Sequence, residues 1–173
     1  MPARSPPSRK APAQPLRART PRRQALSLPL ETSVGYLVRM THRAFTRVLQ
    51  ARIEPNGVTV GMWYFLRVLW AEDGITQREL SQRIGMMEPT TVTALNNMER
   101  RGLIRRSRNP HDRRKINIYL TAKGRALRTR LMPLAMEVNA VALQDFSPSE
   151  IDTLRTLLGR ARGRLAADGS GEG

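Results

Sequence analysis

The stretch from Arg105 to Lys115 carries six cationic side chains, Arg105, Arg106, Arg108, Arg113, Arg114 and Lys115, against the single carboxylate of Asp112. Guanidinium and ammonium groups at this density meet phosphate or enter the negative potential of a narrow minor groove. Just upstream, Thr90, Thr93, Ala94 and Asn97 recur at helical spacing, all small or hydrogen-bonding and none acidic. Such a face suits a helix inserted into a major groove, with Thr93 and Asn97 at base edges and Arg101 nearer the backbone. Catalytic chemistry lacks its parts: the sequence shows no nucleophile with its base, no paired carboxylates and no phosphate-binding glycine loop. An enzyme is not expected. Cysteine is absent, which removes disulfides, thiolate metal sites and thiol-based oxidant sensing, and two histidines, His42 and His111, make a poor zinc set.

These groups need elements to hold them. Thr76 and Glu79 have capping-box spacing, so a helix begins at Gln77, buries Leu80 and Ile84, and ends at Gly85. After a tight turn Pro89 opens a second helix whose inner face is read as Val92, Leu95 and Met98. Gly102 stops it. Leu103-Ile104 and Ile116 to Leu120 read as two strands around the basic loop. The expected outline is a winged helix-turn-helix.

The run NPHDRRKINIYLTAKG resembles the wing signature of the multiple antibiotic resistance regulator (MarR) family, with Asp112, Arg114, Ile118, Leu120, Thr121 and Gly124 in its places. TVTALNNMERRGLI is similar to that family's recognition helix and the turn after it, although Asn96 stands where members usually carry an aliphatic residue. The resemblance spans roughly Glu31 to Leu165. It implies that Asp112 orients Arg114 into the minor groove; Arg113 is then read as the phosphate contact, or the adjacent arginines exchange roles. It also implies a homodimer joined by the first and last helices. Finally, it implies release from DNA by a small anionic aromatic effector, an aromatic carboxylate or aryl-CoA thioester. Candidates to line that cavity are Tyr36, Met40, His42, Phe45, Met62, Trp63 and Phe65, with Arg39 and Arg43 holding the anion.

The remaining segments fit this outline. Residues 1–30 hold seven of the twelve prolines and seven basic residues but no acid, which predicts a disordered basic arm rather than a secretory signal. The formal charge is +16; subtracting those seven leaves +9, so attraction to a polyanion does not depend on the arm. Thr32 to Ile53 has the pattern of one long amphipathic helix, with Arg39, Arg43 and Arg47 on its outer face. Thr59 caps a helix to Ala71 that contains both tryptophans. Thr121 caps a long helix that Pro133 should kink, and Ser147-Pro148-Ser149-Glu150 opens the last. The fold class is therefore mainly α with a small β wing (α+β). Dimerisation helices fall at 31–58 and 122–166, the winged DNA-binding unit at 59–121, and a flexible tail at 167–173. The reading is a cytoplasmic, nucleoid-associated bacterial regulator, a homodimeric repressor of a palindromic site on double-stranded DNA, with no cofactor and no membrane span. A sequence-indifferent nucleic-acid-coating protein is the alternative, since it would share the charge and the arm.

Overall fold

The computed structural model describes residues 29–169, so the expected basic arm and the last part of the expected tail fall outside the described residues. The chain divides into two compact units, Met1–Leu37 and Val38–Gly173. Of the first, a 3-10 turn at Leu30–Thr32 and the opening of helix α1 (Val34–Ile53) are described. The second contains the rest of α1, then α2 (Val60–Ala71), α3 (Gln77–Ile84), α4 (Glu88–Arg100), strands β1 (Ile104–Arg108) and β2 (Ile116–Leu120), α5 (Ala122–Ala142) and α6 (Pro148–Asp168). The architecture is mainly helical with a two-stranded wing.

Caps fix most of the starts. The Thr59 hydroxyl accepts the Met62 N–H at 3.3 Å and the Thr121 hydroxyl that of Gly124 at 3.1 Å. Thr76–Glu79 and Ser147–Glu150 form complete capping boxes, with Glu79 and Glu150 each accepting the cap residue's N–H at 2.8 Å. Hydrogen bonds from Thr76 and Ser147 hold both carboxyls below their usual range. Boundaries shift slightly from expectation. Helix α1 begins at Val34 because Thr32 belongs to the preceding turn, and α4 begins at Glu88, which puts Pro89 one place further in. Both sites lack an intrahelical partner for their N–H, so proline is tolerated at either. Helix α5 continues through Pro133, and α6 runs on to Asp168, two residues into the expected tail.

Helix α2 is the centre of the core. Phe65 and Leu66 are fully buried among Ile53, Leu80, Leu95, Met98, Ile118 and Leu131, which come from α1, α3, α4, β2 and α5. The wing grows from this core: β1 and β2 pair antiparallel from Ile104↔Leu120 to Arg108↔Ile116. Sequence patterning placed Arg105, Arg106 and Arg108 in a loop, but they lie on β1. The reason is visible on the opposite strand, where the Tyr119 ring faces Arg105, its register partner, with the guanidinium 4.5 Å from the ring centre. β2 also has a second neighbour, because the Ile118 N–H donates to Ile75 O and the Gly74 N–H to Ile118 O, each at 2.9 Å.

Gly124 shows why a glycine is needed where α5 leaves the wing. A Cβ there would overlap the Leu103 carbonyl oxygen, and the Gly124 carbonyl accepts the Trp70 indole N–H at 2.9 Å. Beyond the winged unit the helices are less well covered. Met136 and Val141 on α5 and Leu154, Leu157, Leu158 and Leu165 on α6 are exposed within the single chain, and α6 buries none of its residues. No described helix is long and apolar enough to cross a membrane.

Candidate nucleic-acid interface

The buried stripe of α4 is Thr91, Leu95 and Met98, at i, i+4 and i+7. Val92, expected in the core, is 38% exposed. Threonine buries its methyl in its place, leaving its hydroxyl without a hydrogen-bond partner. Apolar periodicity favours valine, but Leu95 and Met98 are buried as expected and only the first position of the stripe differs. The open face differs from expectation at two positions. Thr90 and Thr93 are exposed as expected, the Thr93 hydroxyl donating to Pro89 O at 3.2 Å, but Ala94 is half-buried against the core. Asn97 is half-buried too, and its Oδ1 accepts from Arg101 Nε at 3.2 Å while Arg101 Nη1 donates to Gly57 O at 2.8 Å. Asn96, one place before Asn97, is exposed.

Arg106 ties this helix to the wing. Its Nη1 donates to Asn96 Oδ1 at 2.6 Å and to Glu99 Oε2 at 3.1 Å, and its backbone N–H donates to Glu99 Oε1 at 3.1 Å. A fourth hydrogen bond runs from Nη2 to Val92 O at 3.4 Å. A cation engaged on three sides is a strut between β1 and α4, not a free phosphate ligand. Sequence reading had no signal for it beyond charge.

The wing tip is organised by Asn109, also unforeseen. Its Oδ1 accepts the N–H groups of His111 and Asp112 at 2.9 and 3.0 Å, and its Nδ2 donates to Asn117 Oδ1 at 3.0 Å. An Asx-type turn of this kind fixes where the Asp112 carboxylate sits. Asp112 in turn accepts the Arg114 backbone N–H and Nε at its Oδ1, both at 3.1 Å. The Arg114 hydrogen bonds, with Lys115 nearby, hold the Asp112 carboxyl below its ordinary value. Arg114 remains 91% exposed, whereas Asp112 is largely covered. Arg113 is exposed as well. A groove of about 510 Å³ brings Asp112, Arg114 and Lys115 alongside Thr76 and Arg78 at the start of α3 and Glu88 at the start of α4.

The residues expected to bind an effector lie on α1 and α2. Tyr36 belongs to the Met1–Leu37 unit, and Arg39, Met40, His42 and Arg43 lie exposed along α1. Met62 and Trp63 are buried in α2. A separate cavity of about 460 Å³ between α1, α2, α3 and α5 is lined by Trp63 and Phe45 from the expected set, together with Tyr64, Arg67 and Arg83. Arg83 is committed to Glu72 at 2.6 Å. Arg67 has no carboxylate partner among the described residues; it stacks over the Trp63 ring at 5.5 Å and approaches Met132 Sδ at 3.3 Å. Arginine at 67 follows no capping or charge-pattern rule, so the sequence alone did not single it out.

The MarR family model matches residues 58–116. Two curated HTH-type transcriptional regulators, from Methylorubrum extorquens and Bacillus subtilis, are 29% and 32% identical, and the chain spans about half of their length, 52% and 58%. Three solved structures match at greater coverage. A probable transcriptional regulator from Pseudomonas aeruginosa is 30% identical with a TM-score of 0.70, covering 77% of this chain and 99% of that one. The PcaV regulator from Streptomyces coelicolor, solved in complex with its natural ligand, is 26% identical with a TM-score of 0.72 over 79% and 96%. The transcriptional repressor CouR, bound to a 23-mer DNA duplex, is 28% identical with a TM-score of 0.71 over 77% and 94%.

Proposed function

Because this chain belongs to the MarR family of winged helix-turn-helix, DNA-binding transcriptional regulators, we propose that it is a homodimeric cytoplasmic repressor of a two-fold-symmetric operator, released by a small anionic aromatic ligand. The observation that carries the DNA part is the shared groove in which the wing pair Asp112–Arg114 stands beside the starts of α3 and α4. Helix N-termini attract phosphate, α4 offers hydrogen-bonding side chains for base edges, and Arg114 is an exposed cation at the wing tip, aimed by Asp112. Thr90, Thr93 and Asn96 are the candidate groove-facing residues, with Arg113 and Arg101 beside the backbone. CouR, bound to a 23-mer DNA duplex, supports a DNA-binding role for this architecture.

Burial supports the dimer. Exposed leucines along α6 and the exposed Met136 and Val141 of α5 form apolar surface that water disfavours, and a second copy covers it most economically. Pairing also doubles the readout, since two recognition helices about 34 Å apart fit half-sites one turn of DNA apart.

The effector site is proposed at the cavity beside α2. Phe45, Trp63 and Tyr64 suit a flat ring, and Arg67 is the cation best placed for a carboxylate. This moves the anion partner from Arg39 and Arg43 to Arg67. The PcaV complex supports a ligand on this architecture. Titrating aromatic acids and their coenzyme A thioesters against a preformed protein–DNA complex tests it. Release that Arg67→Ala weakens and Arg39→Ala does not is the expected result; release by none of them returns the cavity to a packing defect.

A further inference from the structure

Resting on the DNA-binding reading above, we infer that Asn96, locked by Arg106, selects guanine over adenine at one position of each half-site. A free asparagine is the usual reader of adenine, because its carbonyl oxygen accepts from N6 while its amide nitrogen donates to N7. Here the oxygen is already taken. Arginine can only donate, so the Asn96 atom lying 2.6 Å from Arg106 Nη1 is Oδ1, drawn toward the wing strand. The group left for the groove is Nδ2, which makes no hydrogen bond among the described residues and carries two N–H donors. Guanine presents O6 and N7, two adjacent acceptors, on its major-groove edge. Adenine presents one acceptor and one donor, and that donor would oppose the Asn96 N–H groups.

Charge favours the same choice. The Arg106 guanidinium, bridged to Glu99 at 3.1 Å, polarises the amide it holds and strengthens its N–H as a donor. Exposure puts Asn96 where a base edge can reach it, one turn along α4 from Thr93. The strut that sets the distance between wing and helix thus also sets the chemistry of one readout position.

Selection on random duplexes at fixed salt, run on the full chain and its variants, is the test. The parent should recover guanine at one position per half-site. Asn96→Ala should lose about tenfold of the discrimination there and keep the preference elsewhere, the scale of a single base-edge contact. Arg106→Met should move that position toward adenine by freeing Oδ1. Should Arg106→Met not fold, Asn96→Asp remains decisive, because the exposed site tolerates it and a carboxylate prefers the cytosine amino group. An unchanged preference in Asn96→Ala, or adenine recovered by the parent, overturns the inference while leaving the regulator reading intact. A parent that recovers no sequence at all overturns both.

Discussion

The Asp112 carboxylate holds Arg114 at two points, backbone N–H and Nε to Oδ1 at 3.1 Å each, while the guanidinium stays exposed at the wing tip. A cation aimed in advance loses less side-chain entropy on entering a groove than one that must be ordered by DNA. Arg114→Ala should therefore weaken operator binding by ~1–3 kcal/mol at fixed, moderate salt. Asp112→Ala should cost less, since the charge remains and only its aim is lost. Arg113→Ala should lower affinity evenly across sequences and reduce the salt slope by about one. Equal affinity of Arg114→Ala and parent would remove the wing from the account.

The capping boxes predict a pH dependence of stability. The Glu79 and Glu150 carboxyls titrate below their ordinary value in the fold, held by Thr76 and Ser147. As pH falls, the unfolded chain takes up these protons first, so the stabilisation is complete above the ordinary carboxylate value of ~4.3 and is lost as pH passes down through the lowered folded value. Thermal melts from pH 7 to pH 3 on Glu79→Gln/Glu150→Gln should start below the parent and converge with it in acid. A constant offset across that range would assign the effect to shape instead of charge. Thr76→Ala, which removes the cap itself, should cost ~1 kcal/mol at neutral pH.

Gly124 marks the tightest passage between wing and α5. Gly124→Ala would force its methyl into the Leu103 carbonyl and disturb the Trp70 bond to the Gly124 carbonyl. Overpacking of this kind costs ~1–3 kcal/mol, or several degrees in the melting midpoint. A variant that melts with the parent would mean the backbone shifts aside at no cost.

Much of this was legible in the sequence because its signals are local. Thr76-x-x-Glu79, Ser147-Pro148-Ser149-Glu150, Gly85 and the β-prone run Ile116–Leu120 each encode their element within a few residues. The Asp112–Arg114 geometry was implied by the resemblance of the wing run. What escaped was set at a distance. Whether Thr91 or Val92 faces the core depends on how α4 lies against α2 and α3, and the same packing leaves Ala94 and Asn97 half-buried and Asn96 exposed. Arg106 looked like one more basic residue until β1 carried it beneath Glu99. Arg67 acquired meaning only beside a cavity that four helices enclose.

The α6 surface predicts its own test. Leu154→Arg/Leu158→Arg places two charges on the stripe proposed to meet the second copy. Sedimentation should give a dimer for the parent and a monomer for the variant, with a folded helical signal in both. Affinity for the full operator should then collapse toward that of a half-site. A parent that sediments as a monomer at micromolar concentration would leave the leucines without a partner.

Discrimination between one operator and bulk DNA bears most directly on the central claim, because a formal charge of +16 attracts any duplex. Selection on random duplexes, followed by competition against random DNA at physiological salt, should yield a two-fold-symmetric sequence with half-sites about 10 base pairs apart. Its affinity should exceed that for random DNA by ~10³ or more. Recovery of no common sequence, with every duplex competing equally, would contradict the regulator reading and make the chain a coat for nucleic acid.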